Sequence, residues 1–383
     1  MSSHHPQKLP LFVIGLMSGT SADGIDAALV RTDGIFLERT DITISHPYCK
    51  KVAEAIHAAR LSAEAFLSDT DSIAALARAI SEDHAHAVKR ICEMAPDISP
   101  DVIGFHGQTI YHNPQAGKTV QLGDGVALSQ FTGLPVIYDF RAADIDAGGQ
   151  GAPLAPIYHQ MLLTQAGCKM PAAFINIGGV ANLTYCDAKG DIEGYDIGPG
   201  NGLIDDLVRQ HFNLAFDDKG RLAAQGHASM SIVNQALGHP FFSLFGPRSL
   251  DRNEFDDLFR LPEFTCMSAY DQIATATAFT VHAIDLAIRR LPVMPKILVL
   301  AGGGIHNDVM MGGLKDRLSG QSQLVTAEYI GAPSDMVEAE LIAFLAARYI
   351  GRLPSSFPST TGAHSPQLCG KMASLSNGRA SLR

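Results

Sequence analysis

The chain has no closely spaced cysteines. Its six, Cys49, Cys92, Cys168, Cys186, Cys266 and Cys369, lie far apart without a Cys-x-x-Cys pair, which excludes a zinc knuckle and a disulfide scaffold and points to reduced thiols of a cytosolic protein. Nowhere do about 18 apolar residues run uninterrupted, and Met1 to Pro10 is polar where a secretion signal needs an apolar stretch. A soluble, cytoplasmic protein with no membrane partner is expected. Positive charge is also scarce. Lys and Arg number 29 against 39 Asp and Glu, a formal net charge of −10, and no basic cluster offers a nucleic acid its phosphate contacts. The ligand is then a small molecule.

What the chain does have is length, glycine and apolar residues. Its 383 residues suggest about two domains of ordinary size, and 46% hydrophobic composition allows large cores. Thirty-six glycines and twenty prolines, clustered without a repeat, suit an α/β enzyme with many tight turns. The densest cluster is Gly15-Leu16-Met17-Ser18-Gly19-Thr20-Ser21-Ala22-Asp23-Gly24-Ile25-Asp26. Leu11 to Leu16 and Ile25 to Val30 read as strands, and the small residues between them let N–H groups and hydroxyls approach phosphate oxygens. Asp23 and Asp26 are candidates to hold a divalent cation, directly or through water. Taken alone, such a turn is most often only a hairpin.

Apolar residues at helical spacing predict a helix over Asp71 to Met94, capped by Thr70 or Asp71. Val102 to Phe105 reads as a short strand ending in His106-Gly107-Gln108-Thr109, and Leu134 to Tyr138 as another ending in Asp139-Phe140-Arg141. Polar residues at strand ends line crevices in α/β sheets. From Pro171 the plan restarts: Ala172 to Ile177, a Gly178-Gly179-Val180-Ala181-Asn182 turn, then Leu183 to Cys186. Two halves built alike are expected. Asp196 precedes Gly-Pro-Gly and a helix over Gly202 to Phe212, where it serves either as a helix cap or as a reactive carboxylate. Ser268…Asp271 reads as a capping box opening a helix to Leu291, which feeds a strand, Lys296 to Ala301. Gly302-Gly303-Gly304 follows, either a tight turn or a phosphate and nucleoside junction. Asp217-Asp218-Lys219-Gly220 reads as a surface turn, Ser334 to Ile350 as the last helix, and the Ser-, Pro- and Gly-rich end as a loose tail.

Taken together these motifs are specific. Met17-Ser18-Gly19-Thr20-Ser21 with Asp23 to Asp26, His106 to Thr109, Gly148-Gly149-Gln150-Gly151-Ala152-Pro153-Leu154, Ile175 to Gly179, Asp196 to Asn201 and Ala301 to Gly304 stand in one order. In this the chain resembles the anhydro-N-acetylmuramic acid kinases, sugar kinases of the actin, hexokinase and Hsp70 superfamily, over roughly Leu11 to Ala363. The resemblance implies an α/β, two-domain actin-like ATPase (ribonuclease H-like) fold with an interdomain active-site cleft. Residues 1–140 with about 340–365 would form one domain, 141–339 the other, and 366–383 a flexible tail.

The resemblance also implies the reaction. ATP phosphorylates the 6-oxygen of 1,6-anhydro-N-acetylmuramic acid while water opens the anhydro bridge, giving N-acetylmuramic acid 6-phosphate and ADP for cell-wall recycling. Asp196 matches the carboxylate that deprotonates the water. Gly19, Thr20, Ser21, Ala22, Asp23, Gly24, Ile25 and Asp26 match the phosphate loop. Gly178 and Gly179, with Gly302, Gly303 and Gly304, match its nucleotide-side turns, and Mg²⁺ is expected at Asp23 and Asp26. Arg141, Asp144 and Glu338 resemble substrate-pocket positions, and His106, Gln108 and Gln150 are candidates either for sugar contact or for structural roles. Ala142 and Ala143 stand where some members carry another basic residue, so the partner of the substrate's lactyl carboxylate is left unassigned. Oligomeric state stays open, a homodimer being one option. Rival readings are another kinase of this fold and a non-catalytic ATP-gated regulator.

Overall fold

Val13 to Leu16 are buried in succession, the pattern of a strand covered on both faces rather than one lying over solvent. That strand, β1 (Leu11–Ser18), is central to its sheet in the computed structural model, which describes residues 10–19, 22, 24–113, 117–250, 254–332 and 336–374. The chain divides into two units: Met1–Leu154 with Asp335–Pro358 and Ala363–Arg383, and Ala155–Ser334 with Ser359–Gly362. Among the described residues no helix is long and apolar enough to cross a membrane.

In the first unit β1 pairs antiparallel with β2 (Gly24–Thr32), and β2 with β3 (Leu37–Pro47). On its other side β1 runs parallel to β4 (Val102–Asn113), and β4 runs parallel to β6 (Val136–Tyr138). The helix Val337–Gly351 lies against this sheet at backbone distance, which is what Gly15 and Gly104 permit. A Cβ on Gly15 would overlap the Ala339 carbonyl oxygen, and one on Gly104 would stand 2.5 Å from that of Ile342. The helix Thr70–Met94 packs Leu76, Ile80, Ala87, Val88 and Ile91 into the same unit's core. Its cap is Asp69, which accepts from the N–H groups of Asp71 and Ser72 at 3.1 and 3.2 Å, one residue ahead of the expected caps.

In the second unit β7 (Ala172–Ile177) pairs antiparallel with β8 (Val180–Cys186), and β8 with β9 (Ile192–Pro199). β10 (Ile297–Ala301) runs parallel to β7, and β11 (Gln323–Thr326) parallel to β10. The order β11-β10-β7-β8-β9 repeats β6-β4-β1-β2-β3, direction for direction. This repeated five-strand plan is that of the two-domain actin-like ATPase, ribonuclease H-like α/β fold. The helix Ala269–Arg289 carries half of the expected capping box: Ser268 Oγ accepts from Asp271 N–H at 3.1 Å, while the Asp271 carboxylate turns to His227 N–H.

Three expectations change. The strand predicted to end at Phe105 continues to Asn113, because β5 (Lys118–Leu122) pairs with its extension and supplies partners for the polar backbone there. The first unit reaches Leu154 rather than 140 and so keeps Arg141, Asp144 and the Gly148–Leu154 run with β4 and β6. The tail expected from 366 is ordered over 371–373, where β12 (Lys371–Ala373) pairs antiparallel with β6, Lys371 opposite Tyr138. Lys371 Nζ also reaches the Asp139 carboxylate at 2.6 Å.

Candidate active site

Asp196 lies within β9, opposite Asn182 of β8. The strand runs on to Pro199, and the helix that follows starts after Asn201, so Asp196 caps nothing. Its Oδ2 accepts from Leu250 N–H at 2.8 Å, and its own N–H donates to the Arg248 carbonyl at 3.0 Å. Burial pushes the carboxyl up to about 6, against the Leu250 N–H and the Arg248 charge, which both favour the ionised form. A carboxylate poised near neutrality is a competent proton acceptor. The Arg248 guanidinium lies over the Tyr195 ring at 4.3 Å and over Phe241 at 5.2 Å.

Three glycine-rich stretches of the same unit meet nearby in the fold. The β7–β8 turn is Gly178-Gly179; the Gly178 carbonyl accepts from Asn201 N–H at 2.7 Å, and the Gly179 carbonyl from Gly200 and Gly202 at 3.0 Å. Asn201 Nδ2 donates to the Ile177 carbonyl at 3.2 Å. Gly302, at φ +82°, lies so close that a Cβ there would stand 2.6 Å from the Ile177 carbonyl oxygen and 2.6 Å from Asn176 Oδ1. A left-handed backbone with no room for a side chain requires glycine. The Asp217 to Gly220 turn is at the surface at Asp218 and Lys219, as expected, while its two ends reach into this region. Asp217 is buried, its carboxylate accepting from Leu222 and Ala223 N–H groups at 2.8 and 3.0 Å, and Gly220 abuts Asn307.

In the first unit the phosphate-loop candidates divide. Thr20, Ser21 and Asp23 lie outside the described residues. Ala22 and Ile25 are buried in the core, so their side chains face no ligand. Gly19 is held by Gln108, whose Nε2 donates to the Gly19 carbonyl at 2.9 Å while its Oε1 accepts from the Tyr48 hydroxyl at 3.4 Å. Ser18 Oγ donates to the Gly107 carbonyl at 3.3 Å. Gln108 is fully buried, with both ends of its amide bonded within the unit, which is the arrangement of a brace for the loop.

His106 is likewise spoken for. Arg141 donates to its Nε2 from Nε at 3.2 Å and from Nη2 at 3.0 Å. The ring proton therefore sits on Nδ1, which donates to the Gly107 carbonyl at 2.9 Å. Burial and the Arg141 charge push His106 down to about 3, so it is neutral at any working pH. Arg141 Nη1 donates to the Gly151 carbonyl at 2.6 Å, and the buried Asp144 accepts from Gly151 N–H at 2.7 Å. His106 and Asp144 thus set the Arg141 guanidinium and the Gly148–Gly151 run. Neither nitrogen of His106 is left for a ligand. Gln150, inside that run, is half-buried.

Glu338, exposed in the first turn of its helix, is pushed up by crowding and by Asp26, while Arg141 pulls it down. Asp26 Oδ1 accepts from the Ser45 hydroxyl at 2.5 Å. Asp26, Glu338 and Arg141 therefore share one electrostatic neighbourhood. Among the described residues no group of three His, Cys, Asp or Glu forms a closed metal cage. One or two carboxylates completed by phosphate oxygens is how Mg²⁺ is usually held, so a single carboxylate such as Asp26 needs no cage around it.

The sequence profile of the anhydro-N-acetylmuramic acid kinases matches residues 11–374. A protein of that name from Bradyrhizobium diazoefficiens is 40% identical over 374 residues, covering 95% of this chain and 99% of the relative. Others from Rhodopseudomonas palustris and Gluconobacter oxydans are 42% and 39% identical over 370 residues each, covering 94% of this chain and 98% and 99% of theirs. The chain belongs to the anhydro-N-acetylmuramic acid kinase family. It is therefore an enzyme of the kinase class. Among solved structures, a ROK family glucokinase from Streptomyces griseus is 11% identical, covering 87% of this chain and 98% of that one at a TM-score of 0.39. So loose an overlay carries no argument; the fold rests on its strand order.

Within each unit, folding brings together residues far apart in sequence. Gly178, Gly179, Gly302 and Gly304 meet around Ile177 and Asn201, and Arg141, Asp144 and His106 form one network. Sequence reading missed Tyr48, Arg248, Asn176 and Asn201. Only Asn176 and Asn201 lay inside quoted motifs; Arg248 stands in a stretch with no pattern of its own.

Proposed function

We propose that the chain transfers the γ-phosphoryl group of ATP to the 6-oxygen of 1,6-anhydro-N-acetylmuramic acid while a water molecule opens the anhydro bridge, releasing ADP and N-acetylmuramic acid 6-phosphate. Family membership supports the substrate and the reaction class. The observation that carries the hydrolytic half is Asp196. One carboxylate oxygen is fixed by Leu250 N–H, which leaves Oδ1 to accept the proton of a water attacking C1, at a basicity set by burial. As the C1–O bond to the bridge breaks, the bridging oxygen stays on C6 and takes the phosphoryl group.

Gly19 and its loop, the Gly178-Gly179 turn and Gly302 to Gly304 are assigned to the nucleotide, since close backbone approach is what phosphates need. Arg141, Gln150 and Glu338 are assigned to the sugar, with His106, Gln108 and Asp144 holding them and the loop in place. Asp26 is where Mg²⁺ would be held; the ion would supply positive charge to the transferring phosphoryl oxygens. A cytoplasmic location, where ATP is made available, and a place in the recycling of cell-wall sugars follow from this reading.

The deciding measurement is ADP release from ATP with and without the anhydro sugar. Strict sugar dependence is expected, and sugar-independent turnover would favour the ATP-gated regulator. Turnover in ¹⁸O-water, quenched before the anomeric position exchanges, should place label at C1 and none in the phosphate ester. Label in the ester would displace the hydrolytic reading of Asp196.

A further inference from the structure

Asp196 stands on the edge strand of its sheet, since the order of the second unit ends at β9. An edge strand offers unpaired N–H and C=O groups. Here one such group is taken up by a segment some fifty residues onward: the Arg248 carbonyl accepts the Asp196 N–H at 3.0 Å, and two residues later Leu250 N–H grips Asp196 Oδ2 at 2.8 Å. The segment itself is pinned through the Arg248 side chain. Its guanidinium lies on Tyr195, the neighbour of Asp196 on β9, at 4.3 Å, and Nη1 donates to the carbonyls of Leu244 and Gly246 at 3.2 and 3.5 Å. Tyr195, Arg248, Asp196 and Leu250 thus close a ring of contacts around the carboxylate.

We propose that Arg248 is a positioning residue for Asp196, its carbonyl anchoring the Asp196 backbone where Leu250 N–H can hold the carboxylate, and its guanidinium supplying a positive charge beside it. This rests on Asp196 being the base that takes the water's proton. Glu193 and Tyr195 share its strand, Asn182 opposite it in β8 is uncharged, and Arg290 closes the Ala269–Arg289 helix behind Arg248. Of these groups Arg248 is the one whose charge acts on the Asp196 carboxyl, favouring ionisation against burial. No carboxylate pairs with Arg248 among the described residues, so its field is not spent elsewhere. A planar guanidinium 4.3 Å over an aromatic ring, donating at the same time to two carbonyls, is a role that an ammonium does not reproduce.

The test compares pH profiles of kcat/KM for wild type, Arg248→Gln, Arg248→Lys and Asp196→Asn. Arg248→Gln should move the acidic limb upward by about one pH unit, so that it loses far more activity at pH 6 than at pH 8. Arg248→Lys, which keeps the charge but not the planar guanidinium over the ring, should hold the limb near that of wild type while kcat falls. An even loss across the pH range in Arg248→Gln, with the limb unmoved, would overturn the proposal while leaving the base assignment intact. Asp196→Asn retaining activity within a few-fold of wild type would instead remove the base assignment, and the proposal with it. If Arg248→Gln does not fold, Tyr195→Leu removes the platform under the guanidinium. The limb should then shift in the same direction by less, and an unmoved limb would count against the proposal.

Discussion

The two hairpins that open the two sheets are alike in strands and unlike in turns. β1 and β2 are joined by residues 19–23, a loop whose Gly19 carbonyl needs the buried Gln108 to hold it. β7 and β8 are joined by Gly178 and Gly179 alone, with both carbonyls bonded to the start of the next helix. A longer loop has room to wrap phosphates but must be braced from outside, whereas a two-glycine turn is braced by its own neighbours and leaves no side chain to do chemistry. On the proposed reading, chemistry in the second unit falls instead to the third strand, where Asp196 stands on the sheet edge. One strand plan thus supports two divisions of labour, decided by loop length.

The sharpest test of that division is Asp196→Asn. Turnover should fall by roughly 10²–10⁴-fold, the range of general-base help, with ATP affinity by calorimetry nearly unchanged. Wild-type kcat/KM should fall on the acid side with a midpoint near 6, where Asp196 takes up its proton. Stability should move the opposite way. The folded carboxyl titrates near 6 and the unfolded one near 3.8, so between those values the native state holds the extra proton, and this group's contribution to stability declines as pH rises through the window. Asp196→Asn should therefore melt higher than wild type at pH 8, and a lower Tm there would contradict the burial account.

Next in size are the close approaches that each unit relies on. Gly15→Ala places a methyl into the Ala339 carbonyl, and Gly200→Ala places one into the Gly178 carbonyl; both neighbours are backbone and neither yields easily. Each should cost about 3 kcal/mol, the upper end of ordinary overpacking, measured by urea unfolding. The two should differ in function. Gly200→Ala shifts the Gly178-Gly179 turn and raises KM for ATP, while Gly15→Ala loses folded protein without a matching change in the KM of what remains.

How much of this the sequence discloses depends on distance along the chain. Both opening hairpins, the Thr70–Met94 helix and the echo of the first half in the second are legible because each rests on local periodicity and turn residues. Asp196 stands out as a candidate through the Gly-Pro-Gly that follows it. Arg248 does not, because its relation to Asp196 is a single edge contact across some fifty residues, and no spacing rule encodes such a contact. For Gln108 and His106 the sequence leaves a sugar contact and a structural role equally open for the same reason: their hydrogen-bond partners lie at residues no spacing rule points to, and appear only once β5 extends the strand and the interior pairs their donors and acceptors. The final strand escapes because three residues among Ser, Pro and Gly carry no period, and their order comes from pairing with β6.

Gln108→Met sharpens the contrast in bracing. The substitution keeps volume but removes the donor to Gly19 and the acceptor for Tyr48, leaving buried polar groups unpaired at a cost of about 1–3 kcal/mol. If Gln108 serves the loop, KM for ATP should rise about tenfold, equivalent to 1.4 kcal/mol, while KM for the sugar stays within twofold of wild type. A rise confined to the sugar would return Gln108 to the substrate pocket.

The smallest effect is expected from Gly179→Ala, and it bears most directly on whether the second hairpin meets the nucleotide. Gly179 is exposed, its φ lies outside the left-handed region, and a Cβ there meets nothing within 4 Å. The folded chain therefore has no steric objection to alanine, and the unfolded chain loses freedom, so stability should be unchanged or rise by about 0.4–1 kcal/mol. A phosphate group drawn up to the turn would meet the new methyl. KM for ATP should then increase a few-fold while kcat and the sugar KM hold, because the change touches neither Asp196 nor the first unit's loop. Unchanged KM for ATP in a protein of equal or greater stability would show that the two-glycine turn is a scaffold only, and that nucleotide contacts in this unit must come from Gly302 to Gly304 and the helix start at Asn201.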